Sequence, residues 1–364
     1  MSQKKGKARV IAFYLPQFHP TPENDEWWGK GFTEWTNVGK AKALFPGHYQ
    51  PRIPADLGYY DLRMCEAREA QAELAREAGI EGFCYWHYWF GEGKQLLELP
   101  FKEVLESGKP DFPFSLCWAN HSWYKKLWDP KVGKDKLLME QKYPGKEDFI
   151  NHFNHILPAI KDKRYIMVGN KPVFGIYGIR DLPNASEFIQ TWNDLAIENG
   201  FDGFYFYSFE YKQKDIANSI AVGVDAVVYD SMIDSLINTF SGRLKYLILS
   251  KMLFLPQMVS YNTYVNRLLT TMPISKDILP CVLPNWDHTP RSGVKGKILT
   301  SSTPEKWEKL LRGLLKKLKS KSGDDNLVFV KSWNEWGEGN YLEPDLKFGN
   351  SYLEVFKNVM NDKD

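Results

Sequence analysis

Cysteine is scarce: four residues in 364, at 65, 84, 117 and 281, with no C-x-x-C spacing. That scatter frames neither a disulfide scaffold nor a zinc site. Cys84 and Cys117 sit inside apolar runs and read as reduced core thiols. An excess of either charge is also lacking. Forty-seven Lys and Arg against 45 Asp and Glu leave a formal net charge of +2. No long basic run interleaves with aromatics, so nucleic acid is not expected as a partner. No apolar run is long enough to span a bilayer. The opening MSQKKGKARVIAFYLP reaches Pro16 after a short apolar stretch with no small-residue cleavage site. It is too brief for a signal h-region and reads as a first strand, so the cytoplasm is the expected location. P-loop, G-x-G-x-x-G and G-x-S-x-G patterns are all missing. The seven histidines form no ligand spacing, so neither a metal nor an organic cofactor is expected. The lone D-x-D, Asp362-Lys363-Asp364, stands at the C-terminus and lends no support to a metal-dependent nucleotide-sugar site.

Aromatics are plentiful instead. Phe, Trp and Tyr make up 15% of the chain, with 13 Trp. A large core absorbs many of them, and flat rings with a polar tip also suit the C–H faces of sugars. Short apolar runs at 9–15, 82–90, 112–119, 165–177, 203–209, 225–230, 279–283 and 327–333 are strand-length and apolar on both faces, as buried parallel strands should be. Helical patterns fall between them at 63–78, 95–107, 147–160, 184–199, 216–222 and 304–319, and 352–359 closes the chain. Thr303-Pro304 is a start signal, and Gly79 and Gly200 are stops. The alternation predicts one α/β domain over 1–364, a single (β/α)₈ barrel. A doubly wound sheet would want glycine after the first strand, where this chain has Pro16-Gln17-Phe18-His19-Pro20. Two connections are long: 20–60, dense in Trp, Pro and Gly, and an insertion at 236–277. Long loops at the C-terminal face of a barrel build lids and sites. Residues 236–275 carry Arg243, Lys245, Lys251 and Arg267 and no acidic residue. A lid helix packed on the barrel is the first expectation, and weak contact with an anionic membrane surface the alternative.

The strongest chemical pattern follows the last strand: Trp333-Asn334-Glu335-Trp336-Gly337-Glu338-Gly339, then Asn340 to Pro344. Two carboxylates three residues apart on a glycine-bearing turn can converge on one pocket. Cleavage of a glycosidic bond needs such a pair, one as acid and one as base or nucleophile. Trp333 and Trp336 could supply an apolar wall; an acidic surface turn beside two core tryptophans is the plain alternative. Other strand ends combine polar groups with aromatics: Tyr14 and Gln17; Trp86, His87 and Tyr88; Trp118, Asn120 and His121; Trp286 and Asp287. With Asn334, Trp336 and Glu343 they are the candidate substrate-binding residues, although buried packing explains any single one equally well.

The blocks YLPQFHPTPENDEWWGKGFTEWTNV, WANHSWYKKLWD, LPNWDHTPRS and SWNEWGEGNYLEPD together resemble the WbsX-like family of bacterial polysaccharide-cluster proteins, which is similar to glycoside hydrolase family 99. The resemblance extends from near residue 14 to residue 345. It implies a metal-free (β/α)₈ barrel in which N-E-W-x-E-G falls on Asn334, Glu335, Trp336, Glu338 and Gly339. By that resemblance Glu335 deprotonates the sugar 2-hydroxyl, which attacks C1 to give a 1,2-anhydro sugar while Glu338 protonates the leaving oxygen. Opening the epoxide then retains configuration. Manno-like sugars suit this route, and the implied partner is an oligosaccharide or lipid-linked glycan. The family often has W-A-N-E followed by W-T-R-R; this chain has His121 and then Tyr124-Lys125-Lys126, which changes what the pocket can recognise. WbsX-like proteins are commonly labelled glycosyltransferases of O-antigen, lipopolysaccharide or capsule synthesis. Transfer therefore stays open beside hydrolysis, and so does a glycan-binding barrel without turnover.

Overall fold

The computed structural model describes residues 8–125, 135–229, 244, 248, 253–319 and 323–362. Eight strands form the centre: β1 Arg9–Tyr14, β2 Gly82–His87, β3 Phe114–Trp118, β4 Lys171–Ile176, β5 Tyr205–Glu210, β6 Ala226–Tyr229, β7 Ile278–Val282 and β8 Leu327–Val330. Each pairs in parallel with the next, and β8 pairs with β1, which closes the barrel. Each expected run overlaps one barrel strand. β5 ends one residue past its run, at Glu210, and β7 begins one residue ahead of its own, at Ile278. Elsewhere the run exceeds the strand where the chain stays buried outside the ladder. All the β2 residues, for example, are buried, and burial continues to Phe90.

The barrel is filled, not hollow. Phe13 stacks on Trp86 and on Phe329 at centroid distances of 4.8 and 5.0 Å, and Tyr207 leans on Phe329 at 4.8 Å. Residues of the opposite parity face the helical ring, which includes α3 Cys65–Ala78, α4 Leu99–Ser107, α5 Lys146–Ile160, α6 Ala185–Glu198, α7 Ile216–Val222, α10 Pro304–Leu318 and α11 Ser351–Asn361. Gly79 ends α3 in the left-handed region at φ 92°, where a side chain would be strained. Pro304 occupies the first turn of α10, where its missing N–H costs nothing.

The long connection at 20–60 is built, not loose. It holds α1 Pro22–Trp28, capped by the Thr21 side chain, and α2 Glu34–Lys40, with a capping box at Thr33. An antiparallel hairpin of Trp123–Lys125 and Lys136–Met139 rises beside α1; Trp27 meets Trp123 at 6.0 Å. Further on come α8 Tyr261–Thr271 and the single turn α9 Thr289–Ser292. Of the expected lid at 236–277, residues 236–243, 245–247 and 249–252 lie outside the described residues. At the described positions Leu244, Ile248, Leu253 and Phe254 are exposed, Phe254 at 71%, while α8 buries Tyr261, Tyr264, Val265 and Leu268. Among the described residues no helix is long and apolar enough to cross a membrane.

Candidate active site

The chain leaving β8 is tied across to the chain leaving β1. The Asn334 side chain accepts from the Leu15 N–H (2.7 Å) and donates to the Leu15 carbonyl (3.0 Å), which fixes the start of the Glu335–Glu338 turn. The turn, a single 3₁₀ turn over Trp336–Glu338, is pinned from the β7 side where the Asp287 N–H donates to the Glu338 carbonyl at 2.7 Å. Both glutamate side chains therefore point to the C-terminal mouth of the barrel.

There they meet Arg291, from α9. Its Nη1 donates to Glu335 Oε1 at 3.3 Å and, more closely, to Glu338 Oε1. Its Nε donates to Glu34 Oε2 at 3.2 Å, and Glu34 is buried at the start of α2. One nitrogen on both carboxylates leaves their facing oxygens no more than about 6 Å apart, within the spread of two-carboxylate glycosidases. Glu338 Oε2 accepts from Trp286 Nε1 at 3.2 Å, and His288 Nε2 lies 3.6 Å from Oε1. Glu335 Oε2 meets the Ser332 hydroxyl at 3.2 Å. Burial, helped by the neighbouring Glu338 charge, pushes Glu335 above the usual carboxylate range; Arg291 and Lys331 pull the other way without overcoming it. Glu338 is half-buried, which alone would raise it, but Arg291, His288 and Lys331 outweigh that and hold it low. Their surroundings thus shift the two carboxyls in opposite directions, Glu335 up and Glu338 down.

The cleft around them encloses about 470 Å³. Side-chain parity sorts the sequence candidates. Gln17, Trp86, Tyr88 and His121 line the cleft with Glu335 and Glu338. The strand-end candidates of the opposite parity do not line it. Tyr14 donates to Gln71 of α3 (2.6 Å), and Trp118 donates to the Trp89 carbonyl (2.8 Å). Asn120 bonds the Gly178 backbone, and His87 meets His152 of α5 ring nitrogen to ring nitrogen at 2.8 Å. His87 borders a separate cavity of about 300 Å³ between β2, α4 and α5. Trp286 reaches the site only through its N–H on Glu338. Asp287 is wholly buried, bonded to His48 (2.8 Å), Gln50 (2.7 Å) and Thr289 (2.6 Å). Trp336 donates to Glu343 (2.5 Å), which also accepts from Gln71 and Tyr60, so these two brace the turn from behind.

Arg291, Glu34, Lys331, Trp28, Trp123 and Tyr177 also line the cleft, and sequence reasoning did not select them. Glu34 and Arg291 both lie inside conspicuous blocks, FTEW and HTPRS. They are 257 residues apart, and nothing local tells that they meet. Trp28 lies under Lys125, whose ammonium stands 5.0 Å from the ring centre.

A family profile described as "Glycosyltransferase WbsX" matches residues 10–356. The uncharacterized protein WxcX of Xanthomonas campestris pv. campestris is 34% identical over 355 residues, 97% of this chain and 50% of that protein. The chain thus spans about half the length of the curated relatives it matches. Among solved structures, a "glycoside hydrolase-like protein" aligns over 98% of this chain and 95% of its own with a TM-score of 0.61 at 14% identity. The GH99 endo-alpha-mannosidase from Bacteroides thetaiotaomicron aligns over 97% and 96% with a TM-score of 0.54 at 13% identity. These structural likenesses concern the fold. By its sequence, the chain belongs to the WbsX glycosyltransferase family, a family of carbohydrate-active enzymes.

Proposed function

We propose that this chain is a retaining glycosidase or transglycosidase acting on α-linked manno- or deoxymanno-configured glycans. The observation that carries the proposal is the convergence of Glu335 and Glu338 on one guanidinium nitrogen, in a cleft walled by Trp86, Tyr88, Trp123 and Tyr177. Glu335 takes the proton of the sugar 2-hydroxyl; O2 attacks C1, the bond from C1 to the leaving oxygen breaks, and Glu338 gives that oxygen its proton. In the second half Glu338 takes a proton from water or an acceptor hydroxyl, the new oxygen opens the epoxide at C1, and Glu335 returns the proton to O2. Two inversions at C1 give retention. The aromatic walls supply C–H/π contact and exclude water.

Substituting Glu335→Gln and Glu338→Gln tests this against defined mannan and rhamnan oligosaccharides. Each is expected to lower turnover by about 10²–10⁴-fold with the fold intact by circular dichroism. Activity near that of the parent in either variant overturns the mechanism. Tight binding of these glycans with no turnover would leave a glycan-binding barrel. The family's description as a glycosyltransferase favours a second reading, for which we propose a cytoplasmic transferase that builds a lipid-linked glycan. Calorimetry separates the two: micromolar binding of a nucleotide sugar supports transfer from an activated donor, and binding of oligosaccharides alone supports the glycosidase.

A further inference from the structure

The hydrogen-bonding partners of the two glutamates are of different kinds. Both oxygens of Glu338 face groups that can only donate: Arg291 Nη1 on Oε1 and Trp286 Nε1 on Oε2. A carboxyl so occupied has no acceptor within hydrogen-bond distance toward which to point a proton of its own; His288 Nε2 stands farther off, 3.6 Å from Oε1. Glu335 differs. Its Oε2 faces the Ser332 hydroxyl, which can accept as well as donate, and its contact with Arg291 on Oε1 is the longer one. Arg291 itself is anchored. Its Nε is held by Glu34, and a side chain at Gly337 would run into the Glu34 carboxylate, so the turn leaves room for this ion pair.

We propose that Arg291 is a positioning residue that keeps the pair's single proton on Glu335 while the cleft is empty, and lets it pass to Glu338 when a bound glycan displaces the guanidinium from Oε1. This rests on Glu335 and Glu338 being the base and acid of the reaction. The balance is simple. The empty site holds Glu335 neutral and Glu338 anionic. A sugar 2-hydroxyl donating to Glu335 favours its anion, and withdrawal of Nη1 frees Glu338 Oε1 to take the proton. Net charge is unchanged, and both groups are then in the states that epoxide formation needs. Arg291 stays tethered through Nε, so the motion asked of it is a swing about Glu34. The opposite shifts of the two carboxyls described above agree with this arrangement. Other charged and titratable groups facing the pair are His288 beyond Glu338, Lys331 at the end of β8, Glu34 across from Arg291, and Tyr88 beside Glu335.

The test needs no substrate. Carbon NMR of the protein labelled at the glutamate side-chain carboxyls, with Glu335→Gln and Glu338→Gln as assignments, follows each titration in the empty cleft. Near pH 6 the parent should show Glu335 protonated and Glu338 ionised. Arg291→Gln should raise the Glu338 midpoint by two pH units or more, and Arg291→Lys, which keeps the charge but has no second nitrogen for Glu34, by less. On a cleavable mannan oligosaccharide the pH profile of turnover should move upward with the Glu338 midpoint in Arg291→Gln, and less in Arg291→Lys. If Glu338 titrates at the same pH with and without Arg291, or carries the proton in the empty parent, the proposal fails while the glycosidase reading stands. If both glutamates titrate as described yet neither is needed for turnover, the glycosidase mechanism fails and the proton-holding role of Arg291 becomes a resting-state property alone. Should Arg291→Gln not fold, the Arg291→Lys titration decides.

Discussion

Gly337 is fixed by what lies beside it. A methyl group there would strike the carboxylate of Glu34 and come within 3.1 Å of Arg291 Nε. The nearest obstacle is the tip of a side chain, so Gly337→Ala should fold, but with Glu34 pushed aside and Arg291 released from its anchor. Activity is expected to fall at least about tenfold while the melting temperature moves by only a few degrees. A thermal melt beside an activity assay checks this; an unimpaired Gly337→Ala enzyme would show that the Glu34 tether is dispensable. The pair Glu335 and Glu338 was legible in the sequence because glutamates at a strand exit stand out from their apolar surroundings. The rest of the site was only half legible, for a geometric reason. Along a strand successive side chains alternate between barrel interior and helical ring. In Tyr85-Trp86-His87-Tyr88 every residue is large and amphipathic, so composition cannot tell which parity faces in. Trp86 and Tyr88 face the cleft, whereas Tyr85 packs on Phe101 of α4 and His87 on α5. Tyr14, Trp118 and Asn120 are of the outward parity in the same way, and their neighbours Leu15, Ala119 and His121 line the cleft.

At the scale of elements, the barrel strands and the main helices were readable because each long helix buries a stripe and each strand is apolar on both faces. α1 and α2 were not. Each has seven residues, two turns, too short for a periodic pattern to stand out among the Trp, Pro and Gly around them. Their signals are at their ends. Thr21 accepts from the Asn24 N–H (3.1 Å) ahead of Pro22, and Thr33 accepts from the Trp35 N–H (3.2 Å) while its own N–H donates to Thr36 Oγ1 (3.4 Å). α2 matters beyond its size because its first residue is Glu34. Thr33→Ala removes the cap and should cost about 1 kcal/mol, measured as a lower urea midpoint at unchanged slope. Because the frayed turn carries the Arg291 anchor, turnover should fall together with stability. A variant that loses stability but keeps full turnover would show that α2 holds Glu34 without its cap.

The molecule as a whole should be sensitive to acid, and its histidines are the main reason. Burial holds His87 down at about 3, with the His155 charge adding to it. His152, packed among Trp89, Trp118 and Trp192, is held low by burial and then by His87. The sign follows from proton counts. Below the ordinary histidine value near 6.5 the unfolded chain takes up protons that the native state refuses, so stability drops as pH falls from about 6.5 toward 3. Asp287 adds to the loss at the lower end. Burial alone would raise its carboxyl, but His48, Arg52 and Thr289 outweigh it and hold it at about 2. Its contribution is therefore present above the usual aspartate value near 3.8 and disappears as pH approaches 2. Melting temperatures taken from pH 7.5 to 4 should decline steadily, with most of the fall below pH 6.5. His152→Gln keeps a hydrogen-bonding group for His87 and removes one of the refused protons, so its melting curve should flatten against pH even if it begins lower. A parent protein whose melting temperature is level from pH 7 to 4.5 would mean that the His87–His152 pair accepts a proton in place, contrary to its burial between β2 and α5.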